Sequence, residues 1–319
     1  MKERKHKVLI IKTGYSEILD NLDTKIPSYG DILRTTPLLH IYKNDFVTWV
    51  TDEKAIPLLE GNPYIDSLLT LNSETIMDLL DTDFDTVINL EKNHRICKLS
   101  NKIDAWRKYG FRFDKKNNCP EAYDRAYEVL AVSADSKLKK ENQRTFFELL
   151  FEMVGEKWNG EECILGYKPK SNKVYDIGLN TQVGKKWPSK KWSNESWDKL
   201  EEKLIKDGLR VTRQDKQSSE VLKNLNLYID WINSCKTIVS NDSLGLHLGI
   251  TLKKNVLGLF GSSPNKEVYF YERGKSILPE PKPDCSPCFK ENCEKERSCM
   301  EDISAERVYR EIKNLYKSK

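Results

Sequence analysis

Asp242 and His247 flank the predicted start of one helix, and together they are the chain's clearest chance at polar chemistry. The apolar stretch around Ile238 and Val239 reads as a short buried strand, and Ser240-Asn241-Asp242-Ser243 as a turn with helix-capping residues. Helical apolar spacing follows over 244–252, with His247 one turn in. A second apolar strand, 255–260, closes on Gly261-Ser262-Ser263-Pro264. In an open parallel sheet, ligands bind beyond the carboxyl ends of the strands, where both of these polar loops fall. A helix start adds unpaired N–H groups and the positive end of its dipole, which favour an anion such as a diphosphate. Read one at a time, Asp242-Ser243 is a helix cap and His247 a packed histidine; the two flanking one helix start argue for a ligand site that includes Ser243 and Gly245.

Three further places carry candidate chemistry. Gly30-Asp31 puts a tight turn and a carboxylate at the predicted start of the first helix, where Asp31 is either a functional acid or a cap. Gly184-Lys185-Lys186-Trp187-Pro188 follows a strand at 174–180, so Lys185 or Lys186 can meet a diphosphate at its carboxyl end. Glu91, Lys92 and Asn93 leave the carboxyl end of the strand at 85–90 and are candidate acceptor contacts. Residues 102–114 read as an irregular basic loop with interleaved aromatics. Arg107 is its candidate acceptor contact, because aromatic faces stack on sugars and cations attract phosphate; packing and solvation of a loop is the alternative.

The elements that must position these residues alternate. Apolar runs at 7–12, 46–50, 65–70 and 85–90 are separated by helical stretches, and the pattern resumes after 174, which predicts doubly wound parallel sheets. The length, 319 residues, suits two domains. We expect an N-terminal Rossmann-like domain over 1–165, a C-terminal one over 166–303, and a closing helix at 304–319 that packs back on the first. The segment 15–28 reads as a polar surface insertion or a flap. Lys and Arg number 53 against 49 Asp and Glu, a balance that gives no argument for nucleic acid. No apolar run approaches membrane-spanning length and no signal-type apolar region follows Met1, so a cytoplasmic protein with at most peripheral membrane contact is expected. The first loop has Gly14 but no G-x-G-x-x-G, which argues against a dinucleotide-dependent oxidoreductase.

Residues 242–247, with the following strand and Phe260-Gly261-x-x-Pro264, resemble the nucleotide-sugar-binding signature of the heptosyltransferase-type (ADP-heptose:lipopolysaccharide) glycosyltransferases. Gly30-Asp31-x-Leu33-x-Thr35-x-Pro37, 58–63 and Lys185-x-Trp187-Pro188 resemble the same family, so the likeness covers most of the chain. It departs in three places. Leu244 stands where the family has Gly, 15–28 is longer than the usual connection, and 214–219 replaces a Gly-rich loop. The resemblance implies a GT-B architecture, two Rossmann-like domains facing across a cleft. It further implies inverting glycosyl transfer from a nucleotide-diphosphate sugar, with no cofactor or metal required for catalysis. Heptose from ADP-heptose is the default sugar, and the acceptor a glycan or lipid-linked glycan of lipopolysaccharide type. By the same likeness Asp31 is the general base, Lys185 with Lys186 as fallback meets the diphosphate, and Asp242, Ser243, Gly245 and His247 hold the donor. A non-catalytic nucleotide-sugar-binding protein of the same fold is the alternative.

Cys285, Cys288, Cys293 and Cys299 cluster before the last predicted helix, in the pattern C-x-x-C followed by two more cysteines. Four thiolates complete a tetrahedral shell, so a structural zinc or iron site is one reading. Free thiols and disulfides are the others, the last disfavoured in a reducing compartment.

Overall fold

Each half of the chain is built on its own parallel sheet, and in each the strand order reverses where the functional candidates lie. In this computed structural model the described residues are 5–15 and 27–317. Most of the 15–28 insertion therefore lies outside the described residues. The chain separates into two compact units, Met1–Lys168 and Pro169–Lys319.

The first unit holds β1 (Lys7–Ile11), β2 (Phe46–Thr51), β3 (Ser67–Thr70), β4 (Phe84–Asn89), β5 (Ala105–Asp114) and β6 (Cys119–Ala122). Their order is β3-β2-β1-β4-β5-β6, parallel except for the β5–β6 pair. Val8, Leu9, Ile10 and Ile11 are all fully buried, as expected of a central strand covered on both faces. Leu9 and Ile11 pack with Val50, Val87, Ile96 and Leu99 on one of those faces.

The basic aromatic stretch expected to be an irregular loop is instead the ten-residue strand β5. Its alternation is broken at Gly110, whose φ of +84° and closeness to β4 admit no side chain: a Cβ there would lie 2.0 Å from the Asn89 carbonyl oxygen.

The second unit holds β7 (Tyr175–Asn180), β8 (Val211–Arg213), β9 (Cys235–Asn241), β10 (Asn255–Leu259) and β11 (Gly274–Ile277), all parallel, in the order β11-β10-β9-β7-β8. Trp192 and Trp197 meet edge to face, 4.7 Å between centroids, in the core beside β7 and β9. The closing helix, Ala305–Lys317, sends Val308 and Ile312 into this same core, the cluster that also holds Leu200 and Leu204. No helix among the described residues is long and apolar enough to cross a membrane.

Candidate functional site

The first cluster gathers at the β1/β4 switch point, beyond the carboxyl ends of both strands. Asp31 is in the first turn of the Tyr29–Thr35 helix rather than at its cap, so capping does not explain it. Its carboxylate accepts from Arg34 one turn on, and Lys12 Nζ lies 3.9 Å away. Arg34 is itself held over the Phe146 ring, 4.1 Å from its centroid. Burial opposes the charge on Asp31, but Arg34, Lys12 and Lys92 outweigh it and hold the carboxyl well below the usual range. Burial and the like charge of Lys12 push Lys92 down as well, to about 8, which for an amine disfavours the charged form.

Glu91 does not face outward as an acceptor contact. It is fully buried, and its Oε1 accepts from the Thr13 and Gly14 amides at 2.7 and 2.6 Å, with Lys12 Nζ 3.3 Å away. Its work is to fix the loop after β1. Asn93 is the cap of the His94–Lys102 helix, accepting from the Arg95 and Ile96 amides. Arg107 pairs in register with Thr86 on β4, well before the strand's carboxyl end at Asn89, so β5 does not bring it to this cluster.

The second cluster is at the β7/β9 switch point. Asn180, at the end of β7 and fully buried, donates to Ser240 Oγ at 2.8 Å and to Ser243 Oγ at 2.9 Å, and accepts from the Tyr228 hydroxyl at 2.5 Å. Ser243 occupies the cap position of the Leu244–Thr251 helix, but its side chain caps no amide; the Asn180 bond takes it up instead. Gly245 is buried in the same place. A Cβ there would lie 2.4 Å from Asn180 Nδ2 and 2.6 Å from the Tyr228 oxygen, so the missing side chain serves this packing.

Asp242 accepts from Lys190 at 2.7 Å, and His247 Nε2 lies 3.9 Å from its other oxygen. Burial works against ionisation here too, and Lys190 and His247 prevail, keeping the carboxyl well below its ordinary range. Lys190 was not among the residues the sequence singled out. It ends the short turn Pro188–Lys190, which folds it back over Trp187, 5.2 Å from the ring centroid. Lys185 is exposed on the open loop before it, and Lys186 Nζ lies 5.9 Å from the centroid of the Trp187 ring. The sole sequence signal for Lys190 is its place two residues beyond Trp187-Pro188.

The cysteine segment is tied to this cluster by serines and backbone. Ser189 Oγ lies 3.0 Å from Ser262 Oγ and donates to the Lys290 carbonyl, while the Phe289 amide donates to the Ser262 carbonyl and Ser286 to that of Gly261. Cys285, Cys288, Cys293 and Cys299 are all unbridged. Burial, then the neighbouring Cys288, Cys293 and Cys285, raise the Cys299 thiol to about 11. Among the described residues no three His, Cys, Asp or Glu side chains converge as a metal's ligands would.

Two parallel-sheet α/β units, each with polar side chains gathered at its switch point, make up a GT-B-type architecture. Residues 212–298 match the model of glycosyltransferase family 9 (heptosyltransferase), the family type that the sequence resembles. Over 85 residues the chain is 28% identical to Lipooligosaccharide heptosyltransferase 2 of Campylobacter jejuni, a match that spans 26% of this chain and 27% of that protein. The fold likeness is far longer. A glycosyl transferase family 9 structure from Veillonella parvula superposes with a TM-score of 0.64 at 18% identity, over 100% of this chain and 99% of that one. The E. coli ADP-heptose lps heptosyltransferase II gives 0.66 at 15% identity, over 98% and 99%.

Proposed function

We propose that this protein is a glycosyltransferase that moves a sugar, heptose from ADP-heptose being the reading the similar proteins favour, to a glycan or lipid-linked glycan acceptor. The observation that carries it is the Lys190–Asp242–His247 group at the start of the Leu244–Thr251 helix, of which Asp242 and His247 lie inside the segment that matches the family. In this reading Asp242 and His247 hold the sugar or phosphate. The helix start and the lysines of 185–190 face the departing diphosphate. A lysine–phosphate pair at about 4 Å in a partly screened site is worth on the order of 4 kcal/mol gross, so these groups favour the leaving group's charge without calling on a metal.

Asp31 takes the proton from the acceptor hydroxyl, which then attacks the anomeric carbon as the diphosphate leaves, with inversion. Its low proton affinity beside Arg34 and Lys12 makes it a weak base in the state described. We therefore assign Arg34 a part as well: its guanidinium shifts from Asp31 toward the acceptor as the acceptor binds, and the carboxylate's basicity rises at that moment. The Thr13 hydroxyl is buried and without a hydrogen-bond partner among the described residues, and in this reading it meets an acceptor hydroxyl. The protein acts in the cytoplasm, where nucleotide sugars are made.

The test is transfer itself. Incubated with a panel of nucleotide sugars and acceptor glycans, the protein should release nucleoside diphosphate in step with glycosylated acceptor. Binding of the donor with no turnover on any acceptor would favour the alternative, a binding protein of the same fold.

A further inference from the structure

Trp106 is 92% exposed, the most open of the large hydrophobic side chains among the described residues. A Trp left in water is an anomaly for a surface otherwise ordinary in composition. It stands near the start of β5, next in sequence to the His94–Lys102 helix, and that helix packs along β5. Lys108, on the same side of the strand as Trp106 by alternation, donates to the carbonyls of Ser100 and Asn101 at 3.1 and 3.2 Å, which places Trp106 beside the helix's last turn.

The outer face of that helix is cationic along its length. Arg95, Lys98 and Lys102, spaced i, i+3, i+7, are exposed, whereas Ile96, Cys97, Leu99 and Ser100 are buried. The helix has no acidic residue, and between His94 and Lys108 five Lys or Arg stand against the single Asp104. The Lys98 ammonium lies over the Phe113 ring, 4.3 Å from its centroid, while the residue as a whole stays exposed.

We infer that this face, Arg95, Lys98, Lys102 and Trp106, rests on an anionic lipid bilayer. A row of long cations beside one protruding indole matches the chemistry of the membrane interface, where Trp sits at headgroup level and Lys and Arg meet lipid phosphate. A protein partner fits less well, because a stable protein interface wants a contiguous apolar centre and here a single aromatic stands among charges. A nucleic acid fits less well also, since sequential stacking needs more than one exposed ring. The inference stands on this surface and not on the transfer reaction: vesicle binding and glycosyl transfer are separate readouts, and either can fail while the other holds.

The full chain should be centrifuged with vesicles of phosphatidylcholine alone and of phosphatidylcholine mixed with phosphatidylglycerol. We expect binding to the mixed vesicles only, lost at high salt. Replacing all three cations (R95Q, K98Q, K102Q) should weaken it on the order of 100-fold, at roughly fivefold per charge. W106A should weaken it several-fold and abolish the quenching of fluorescence by brominated lipid that the wild-type chain shows on binding. These side chains are exposed, so thermal melting should be unchanged. Equal binding to both vesicle types, or a triple variant that binds like wild type, would overturn the inference. So would tighter binding to a single-stranded oligonucleotide that the same substitutions remove.

Discussion

Lys190 donates to Asp242 Oδ2 over 2.7 Å, and through that bond a turn before one helix sets the charge state of a carboxylate at the start of another. Removing the ammonium leaves a buried carboxylate short of its main partner. Lys190→Gln should therefore weaken donor binding by about 10- to 100-fold, the usual effect of deleting a hydrogen bond to a charged group. Lys190→Arg should restore part of it. Calorimetric titration with nucleotide sugar measures this, and an unchanged Kd in the Gln variant would remove Lys190 from the site.

The same bond fixes a pH dependence. The folded carboxyl of Asp242 is held below its ordinary 3.8, so its ionisation stabilises the fold above that value and the benefit is lost as pH falls. In Lys190→Gln, burial is opposed by what His247 and the Ser263 hydrogen bond supply. The variant should lose donor affinity on mild acidification at a pH where the wild type is still flat.

Asp31→Asn should reduce turnover roughly 10²- to 10⁴-fold while donor binding is kept, as loss of a positioned base does. Near-normal turnover would exclude Asp31 from proton transfer. Arg34→Gln gives the finer test. With its hydrogen-bonded cation gone, the Asp31 carboxyl rises toward its ordinary range, and the acidic limb of the rate profile should move to higher pH.

Glu91 touches three groups of the β1 loop and faces no solvent. Glu91→Gln should cost about 3 kcal/mol, as breaking a buried ion pair does, and lower activity with little change in KM of the residual enzyme. Urea unfolding checks the first part. A variant as stable as wild type but unable to bind acceptor would restore the direct-contact role.

Lys92 supplies a signature at alkaline pH. Its ammonium titrates near 8 in the fold and near 10.5 when unfolded, so between those values the unfolded chain holds the extra proton. Stability should rise with pH across that window, by up to ~3 kcal/mol, relative to Lys92→Met. Flat urea midpoints for both proteins from pH 7 to pH 10 would show that Lys92 is solvated.

The parts visible in the chain were those that act locally. A central strand buried on both faces must be apolar throughout, so 7–12 announced itself, and the turn at 240–243 carried its polar residues together. What stayed hidden was pairing at a distance. Nothing near Asn180 says that Tyr228 will meet it, so Gly245 reads from the sequence as part of a ligand site, whereas its missing side chain makes room for Asn180 and Tyr228. Glu91 leaves a strand at the ligand-facing end, as a contact residue would, yet the loop after β1 turns back onto it. The kink at Gly110 disguised β5, because side chains before and after it no longer keep one alternation.

The serine and backbone links among Ser189, Ser262 and Lys290 join three stretches of chain far apart in sequence. An engineer who grafts only the 181–190 loop from a relative, hoping to change which sugar is accepted, would cut this brace at one end. Successful swaps should exchange all three stretches as a set.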